Sequence, residues 1–128
     1  MAKTYNMKAF DKNEIEVIGR IGQDPEWRDV GGGMLSFSVA TRRSWKDKDS
    51  GEWKDKTTWH NVRSFGKQAE IMRGKFSKGD IVRVTGEMES SKKDDKVYWN
   101  ISPSFAGVKV IAVAEGDYAP VEEEDLPF

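Results

Sequence analysis

Cysteine is absent from the 128-residue sequence, and histidine occurs once. Without cysteine the chain cannot perform thiol catalysis or bind zinc through thiolates, and a reducing, cytoplasmic compartment is favoured. A single histidine excludes a histidine-rich metal site, so we predict neither a metal nor a cofactor. Long apolar runs are also missing: the N-terminal sequence MAKTYNMKAFDK has no signal-peptide core, and no segment is long enough to cross a membrane.

Lys and Arg are missing from residues 115–128, which hold six of the 22 acidic residues. The other sixteen acidic residues stand against 21 basic residues in residues 1–114, so that part has a net charge of +5. We therefore predict one folded domain over residues 1–114 and a short disordered acidic tail over residues 115–128. A basic domain indicates a polyanionic partner, and a separate acidic end is typical of an interaction tail.

Alternating apolar and polar residues predict an all-β domain. The sequence EIEVIGR from Glu14 predicts a first strand, in which Gly19 indicates a bend or bulge. Leu35, Phe37 and Val39 alternate with small polar residues and predict a second strand with one buried face. A third strand follows, and the spacing in GKQAEIMRGKFSKG then predicts one helix. Two or three further strands complete an OB-fold, a five-stranded Greek-key barrel with one helix after the third strand.

A long hairpin over residues 44–67 carries the strongest functional signal. On its returning strand, alternate positions place Trp59, Asn61, Arg63 and Phe65 on one face. Two aromatic rings interleaved with an amide and a guanidinium suit a surface on which bases stack while a cation holds the phosphates. The alternative is that both rings belong to the core. The basic neighbourhood favours the stacking surface.

Three segments and the C-terminus resemble bacterial-type single-stranded DNA-binding proteins. IGRIGQDPEWR, SFSVATRRSWKDKDSGEWKDKTTWHNV and FGKQAEIM are similar to that family in order and spacing, and DLPF resembles its acidic tip. The resemblance implies an OB-fold homo-oligomer, a dimer or a tetramer, that binds single-stranded DNA. It implies base stacking on Trp45, Trp59 and Phe65 and a subunit-interface position for His60. The short connection to the tip resembles phage or plasmid versions.

Two aromatic positions need further argument. Strict alternation from Val39 places Trp45 on the buried face, so stacking beside Trp59 requires a bulge or twist near residues 42–44. Where the family carries a Trp in the second long hairpin, this sequence has lysines. Either Trp99 or Tyr98 supplies the ring from the adjacent strand, or that hairpin holds DNA by charge alone.

The predicted site therefore has a stacking part, a phosphate-binding part and a partner-binding tip. We predict base stacking at Trp45, Trp59, Phe65 and Trp99, and phosphate contacts at Arg20, Arg42, Arg43, Lys46, Lys48, Lys54, Lys56, Arg63, Lys67, Lys92 and Lys93. We predict that Asp125, Leu126, Pro127 and Phe128 bind replication and repair proteins. For Trp27 and Trp53, which lie in turn-like sequence, exposed stacking and loop packing are equally consistent with the pattern.

Two other functions are compatible with these residues. The carboxylate pairs Asp47/Asp49 and Asp94/Asp95 would suit a metal-dependent nuclease on an OB-fold, but they lie beside lysines in loops, where nothing desolvates them. A replication adaptor that mainly binds protein is favoured by the acidic tip. The aromatic and cationic face favours a non-enzymatic, sequence-tolerant binder of single-stranded DNA in replication, recombination and repair.

Overall fold

Five strands of seven or more residues dominate the part of the chain that the computed structural model describes, residues 11–114. In chain order the elements are β1 (Ile15–Ile21), β2 (Glu26–Arg28), β3 (Met34–Lys46), β4 (Trp53–Phe65), α1 (Gly66–Met72), β5 (Ile81–Lys93) and β6 (Lys96–Ala112). Within residues 11–114, no helix has the length and apolar character needed to cross a membrane. The predicted acidic tail, with its tip, lies outside the described residues.

The strands form one sheet that closes on itself. Their order is β1-β5-β6-β4-β3-β2, and β1 pairs with β3 as well as with β5. The pairing of β4 with β6 is parallel, at Val62 and Ile101, whereas the other pairings are antiparallel. This is the arrangement of an OB-fold barrel, with the helix after the third long strand. The predicted fold class is confirmed. The short edge strand β2 was not predicted, because three residues are too few to show an alternating pattern.

The inner faces of the strands supply the core. Its buried residues are Val17, Ile21, Leu35, Phe37, Val39, Val62, Val82, Val84 and Ile101 from the strands, Ala69 and Met72 from α1, and Phe76 from the segment after α1. The predicted helix is therefore too long, because α1 ends at Met72, before Gly74 with its φ of 78°. Phe76 meets Phe37 edge to face, with ring centroids 4.9 Å apart. Burial of each such aliphatic or aromatic side chain stabilises the fold by about 1.5–3 kcal/mol. The predicted alternation of buried and half-exposed residues in β3 is confirmed.

Closure of the barrel depends on a close approach at Gly19. β1 pairs with β5 without a register break from Ile15 to Arg20, so β1 contains no bulge. At its end β1 crosses onto β3, and a β-carbon at Gly19 would lie 2.2 Å from the carbonyl oxygen of Ala40. The register irregularities lie instead between β5 and β6. Gly19 is therefore needed for backbone contact, since no other residue fits there without moving β3.

We expect Gly19→Ala to lower the free energy of unfolding by about 1–3 kcal/mol, the usual cost of overpacking, because the new methyl group would collide with the backbone of β3. Urea unfolding measures the change. Glu16→Ala, an exposed change on the same strand, is the control and should stay within about 0.5 kcal/mol. Equal stability of the two variants would contradict this account of barrel closure.

Candidate nucleic-acid interface

The outer face of β4 presents the alternating side chains that the sequence predicts. Trp59 is 57% exposed and Phe65 is 52% exposed, and Asn61 and Arg63 between them are also exposed. The intervening Val62 is fully buried on the other face. The alternative that the two rings belong to the core is therefore wrong. We call the four exposed residues, Trp59, Asn61, Arg63 and Phe65, the aromatic face.

The indole of Trp59 rests on the backbone of Gly22. A β-carbon at Gly22 would lie 2.4 Å from Cζ3 of the ring, so only glycine leaves the ring where it is. The amide of Gly22 donates a hydrogen bond of 3.1 Å to the carbonyl oxygen of Ser38, which fixes this backbone against β3. Across the ladder, Trp59 faces the small side chain of Ala40. The ring is thus held in place while one side stays open to solvent, which lowers the entropy cost of stacking.

A cleft of about 410 Å³ adjoins the aromatic face. Asn61 and Arg63 line one side of it, and Tyr98 and Trp99 from β6 line another. The structure therefore brings the predicted ring of Trp99 to the same cleft as the predicted phosphate contact of Arg63. Tyr98 lines the cleft as well, so both residues that could replace the family's hairpin tryptophan lie there. Asp24 also borders the cleft.

The second hairpin carries the two lysines that stand where the family has a ring. Lys92 faces Val97 and Lys93 faces Lys96 across the β5–β6 ladder, and all four side chains are exposed. A two-residue turn, Asp94 and Asp95, with φ of 51° and 64°, joins the strands. The tip of this hairpin thus carries lysines, whereas its aromatic residues, Tyr98 and Trp99, lie farther along β6, beside the cleft.

The first hairpin projects beyond the barrel as an arm, residues 42–57. Its pairing runs without a break from Met34 opposite Phe65 to Lys46 opposite Trp53, so the bulge that would bring Trp45 to the face of Trp59 is absent between residues 34 and 65. Trp45 is 38% exposed and stands opposite Lys54 on the other face of the arm. Base stacking at Trp45 stays a prediction, and it would occur on a surface separate from the aromatic face.

Two of the predicted phosphate contacts are engaged within the fold. The Arg42 side chain is 3% exposed, and its Nη2 lies 3.2 Å from Oδ1 of Asp55. Arg20 donates a hydrogen bond of 2.7 Å from Nη1 to the carbonyl oxygen of Gly79. The other nine predicted cations are exposed: Arg43, Lys46, Lys48, Lys54, Lys56, Arg63, Lys67, Lys92 and Lys93. Phosphate contacts remain predictions, and the exposed set is best placed to make them.

Asp55 lies on β4 between Trp53 and Trp59, and its negative charge is compensated. Ser44 donates a hydrogen bond to it, and Arg42 supplies the positive charge. The hydrogen bond from Ser44, and then the charge of Arg42, hold the pKa of Asp55 below its ordinary value of 3.8. Asp55 is therefore ionised at neutral pH, and its charge is matched by that of Arg42.

Comparison with known proteins identifies the family. The model of the single-strand binding protein family matches residues 12–100. The chain belongs to that family. A solved structure of the Plasmodium falciparum SSB in complex with single-stranded DNA is 25% identical, with a TM-score of 0.65, and the match covers 89% of this chain and all of that one. The resemblance read from the sequence is confirmed.

Two further solved structures are similar. A deletion mutant of the single-stranded DNA-binding protein from Thermus aquaticus is 25% identical, with a TM-score of 0.63; the match covers 83% of this chain and 52% of that one. The present chain thus spans about half the length of the Thermus protein. The small single-stranded DNA-binding protein from Streptomyces coelicolor is 20% identical, with a TM-score of 0.55 and coverage of 78% and 94%, and shares the fold.

Sequence reasoning left two tryptophans undecided, and the structure separates them. Trp27 packs against the core, with the guanidinium of Arg73 4.3 Å from its ring centroid and its Nε1 donating to Asp29 at 3.0 Å. Loop packing is therefore the correct interpretation for Trp27. Trp53 is 71% exposed and lies on the same face of β4 as Trp59. The spacing of six residues, an even number, could have revealed this shared face, because alternate strand residues point the same way.

His60 lies on the opposite face of β4 from Trp59 and is half-buried. Its Nε2 is 2.9 Å from Oγ1 of Thr41, its neighbour on β3. Burial lowers the pKa of His60 from its ordinary value of 6.5. The interface position implied by the family resemblance stays a prediction. In the folded protein the neutral imidazole is favoured, because partial desolvation opposes its protonation.

We expect the stability of this family member to fall as the pH is lowered below 6.5. The unfolded chain binds a proton at His60 near its ordinary pKa of 6.5, whereas the folded chain does so only at lower pH, so the stability present above 6.5 is lost towards the folded pKa. His60→Gln should lack this component. Urea unfolding between about pH 7.5 and 5, at fixed protein concentration, measures it. Identical pH profiles for the two proteins would contradict the lowered pKa.

Proposed function

We propose that this protein binds single-stranded DNA with little dependence on sequence and without enzymatic activity, in replication, recombination and repair. The observation that carries the proposal is the aromatic face: Trp59 and Phe65 are exposed on one strand of an OB barrel, with Arg63 between them. Family membership and the Plasmodium relative, solved with single-stranded DNA, support it.

The binding mechanism follows from these side chains. Bases stack on the exposed rings, each stack being worth about 1–3 kcal/mol, and exposed Lys and Arg neutralise the phosphates. Every base has a π-face, so such binding tolerates any sequence. The helix α1 has only seven residues and buries Ala69 and Met72 in the core. Its exposed positions, Lys67, Glu70 and Ile71, form a mixed face that does not resemble a helix reading base edges in a groove.

The nuclease alternative has less support, because the Asp47 carboxylate has structural partners and Asp94 and Asp95 lie in a tight turn. Asp47 accepts hydrogen bonds from the amide and hydroxyl of Ser50 and lies 3.7 Å from Lys54. Asp94 and Asp95 form the tight turn of the second hairpin. The Asp47 carboxylate thus closes the first hairpin and the backbone of Asp94 and Asp95 turns the second, which favours the binding function.

The C-terminal tail gives the proposal a second part. We propose that residues 115–128 form an acidic extension of the 1–114 domain, whose tip, Asp125 to Phe128, binds replication and repair proteins. An apolar ring beside carboxylates suits a basic, ring-sized pocket on a partner. The mainly protein-binding adaptor would use the same tip. We further propose a cytoplasmic homo-oligomer, a dimer or a tetramer, with His60 near the subunit contact.

The aromatic face is tested by titrating oligo-dT, and a duplex of equal length, into the protein and two variants. Trp59→Ala should weaken oligo-dT binding by about 1–3 kcal/mol, because a stacking ring is lost. Arg63→Ala should instead reduce the dependence of affinity on salt, by about 0.7 in log–log slope for each phosphate contact removed. Tryptophan emission quenching reports both affinities.

The control for these variants is Phe105→Ala, which removes an exposed ring on β6 away from the aromatic face. It should leave both affinity and salt dependence unchanged. Equal affinity of the wild-type protein for duplex and oligo-dT would overturn the proposed function. Unfolding of Trp59→Ala would mean that the ring is structural.

The tail generates a prediction of its own. Fourteen residues can extend roughly 45 Å, so six carboxylates can reach the basic surface of the domain and compete with DNA. Removal of residues 121–128 should tighten oligo-dT binding at low salt, and the gain should fade as screening increases. Phe128→Ala keeps the charge and should leave DNA affinity unchanged. An unchanged affinity of the truncated chain at low salt would show that the tail does not compete.

A further inference from the structure

Trp53 is an exposed aromatic residue for which the binding surface described above gives no role. It is 71% exposed at the outer end of β4, and it stands opposite Lys46. In the described part of the chain, its indole makes no ring, cation–π or hydrogen-bond contact. A ring this exposed loses the favourable burial that most tryptophans have, unless a ligand covers it.

The register of the arm places Trp53 in line with the aromatic face. Trp53, Trp59 and Phe65 follow at intervals of six residues on one strand, and an even interval keeps side chains on the same face. The β3–β4 pairing has no break over this length, so the relation is not altered by a bulge. The three rings therefore form one row along β4, at spacings of roughly 20 Å for a rise of 3.3 Å per residue.

The surface between Trp53 and Trp59 can accept a polyanion. On this face, residues 53–59 of β4 and the β3 residues paired with them carry one carboxylate, Asp55. Arg42 and Ser44 contact that carboxylate directly. Lys46 adds an exposed positive charge beside Trp53. Phosphates that pass from one indole to the other therefore meet a net positive surface, because the one negative charge is already paired.

The arm is also ordered up to its tip, which positions Trp53. The amide of Asp47 donates to the carbonyl oxygen of Glu52 at 2.8 Å, and the amide of Gly51 donates to that of Asp47 at 2.8 Å. The side chain of Ser50 closes the loop on the Asp47 carboxylate at 2.8 Å. These bonds begin directly beyond the Lys46–Trp53 pair, so the backbone that carries Trp53 is held by a closed turn and not by a loose loop.

From this row, its charge and its order, we propose that Trp53 is a further base-stacking residue, and that bound single-stranded DNA continues along the arm from Trp59 to Trp53. The inference rests on the proposed function and extends its site. The row from Phe65 to Trp53 spans roughly 40 Å. That length matches about twelve nucleotides at a spacing of 3.4 Å and fewer in an extended strand, within the range of about 4–16 nucleotides for an OB-fold.

The test is a titration of oligo-dT of about 20 nucleotides, a length that exceeds the site. Trp53→Ala should lower the affinity by about 5- to 150-fold, which corresponds to the loss of one stacked base. Trp53→Phe keeps a ring and should retain most of the affinity. Phe105→Ala removes an even more exposed ring, on β6, and should change nothing. The salt dependence of Trp53→Ala should match that of the wild type, since no cation is lost.

Parallel measurements separate failure of this inference from failure of the proposed function. If Trp59→Ala weakens binding and Trp53→Ala does not, the inference is overturned and the function stands. If the wild-type protein does not bind oligo-dT, the function itself fails. A change in sedimentation of Trp53→Ala with unchanged DNA affinity would assign Trp53 to contact between copies of the chain and would also overturn the inference. Thermal unfolding confirms that each variant is folded.

Discussion

The pairing of β3 with β4 determines which side chains of this protein reach solvent. Val62 and Phe37 face each other across the ladder and are buried together, so the register is set by the core. A slip of one residue would expose Val62 and bury Trp59 and Arg63, because successive strand residues point to opposite faces. Hydrophobic burial in the barrel thus sets the arrangement of polar and aromatic residues outside it. The aromatic face therefore forms as a consequence of core packing.

Beyond the barrel, the same register continues without a core to enforce it. Between residues 42 and 57 both faces of the arm lie outside the main cluster, and polar contacts replace apolar packing. Arg42, Ser44 and Asp55 bind one another on one face, and the turn at Asp47 closes the end. The arm is therefore an extension of the sheet that polar pairs stabilise, and it increases the surface available to a long ligand.

Much of the fold followed from the sequence pattern. Alternation in β3 and β4 predicted which residues face the core, and the change to a helical period after Phe65 placed the start of α1 but not its end at Met72. The pattern was least informative where both faces are exposed, since charged residues then occupy every position. For that reason the burial of Arg42 could not be predicted, whereas the alternation from Val39 did place Trp45 on the face opposite Trp59.

Contacts between distant segments also escaped prediction. The packing of Arg73 on Trp27, and of Trp59 on Gly22, joins residues that have no periodic relation along the chain. Three residues of β2 gave no periodic signal either. The features that the sequence predicted were therefore local: the order of the elements and the faces of the strands. The features that it did not predict depend on the three-dimensional closure of the barrel.

Gly22 affects both the position of the Trp59 ring and the closure of the barrel. Its backbone is bonded to β3 next to the point where the barrel closes, and it also supports the indole of Trp59. Any side chain at this position would displace the ring, although the residue itself presents no group to a ligand. Under the proposed function, selection for tighter or weaker binding and selection for a stable barrel therefore act on the same backbone atoms. Evolution of the aromatic face is then limited by a residue with no side chain.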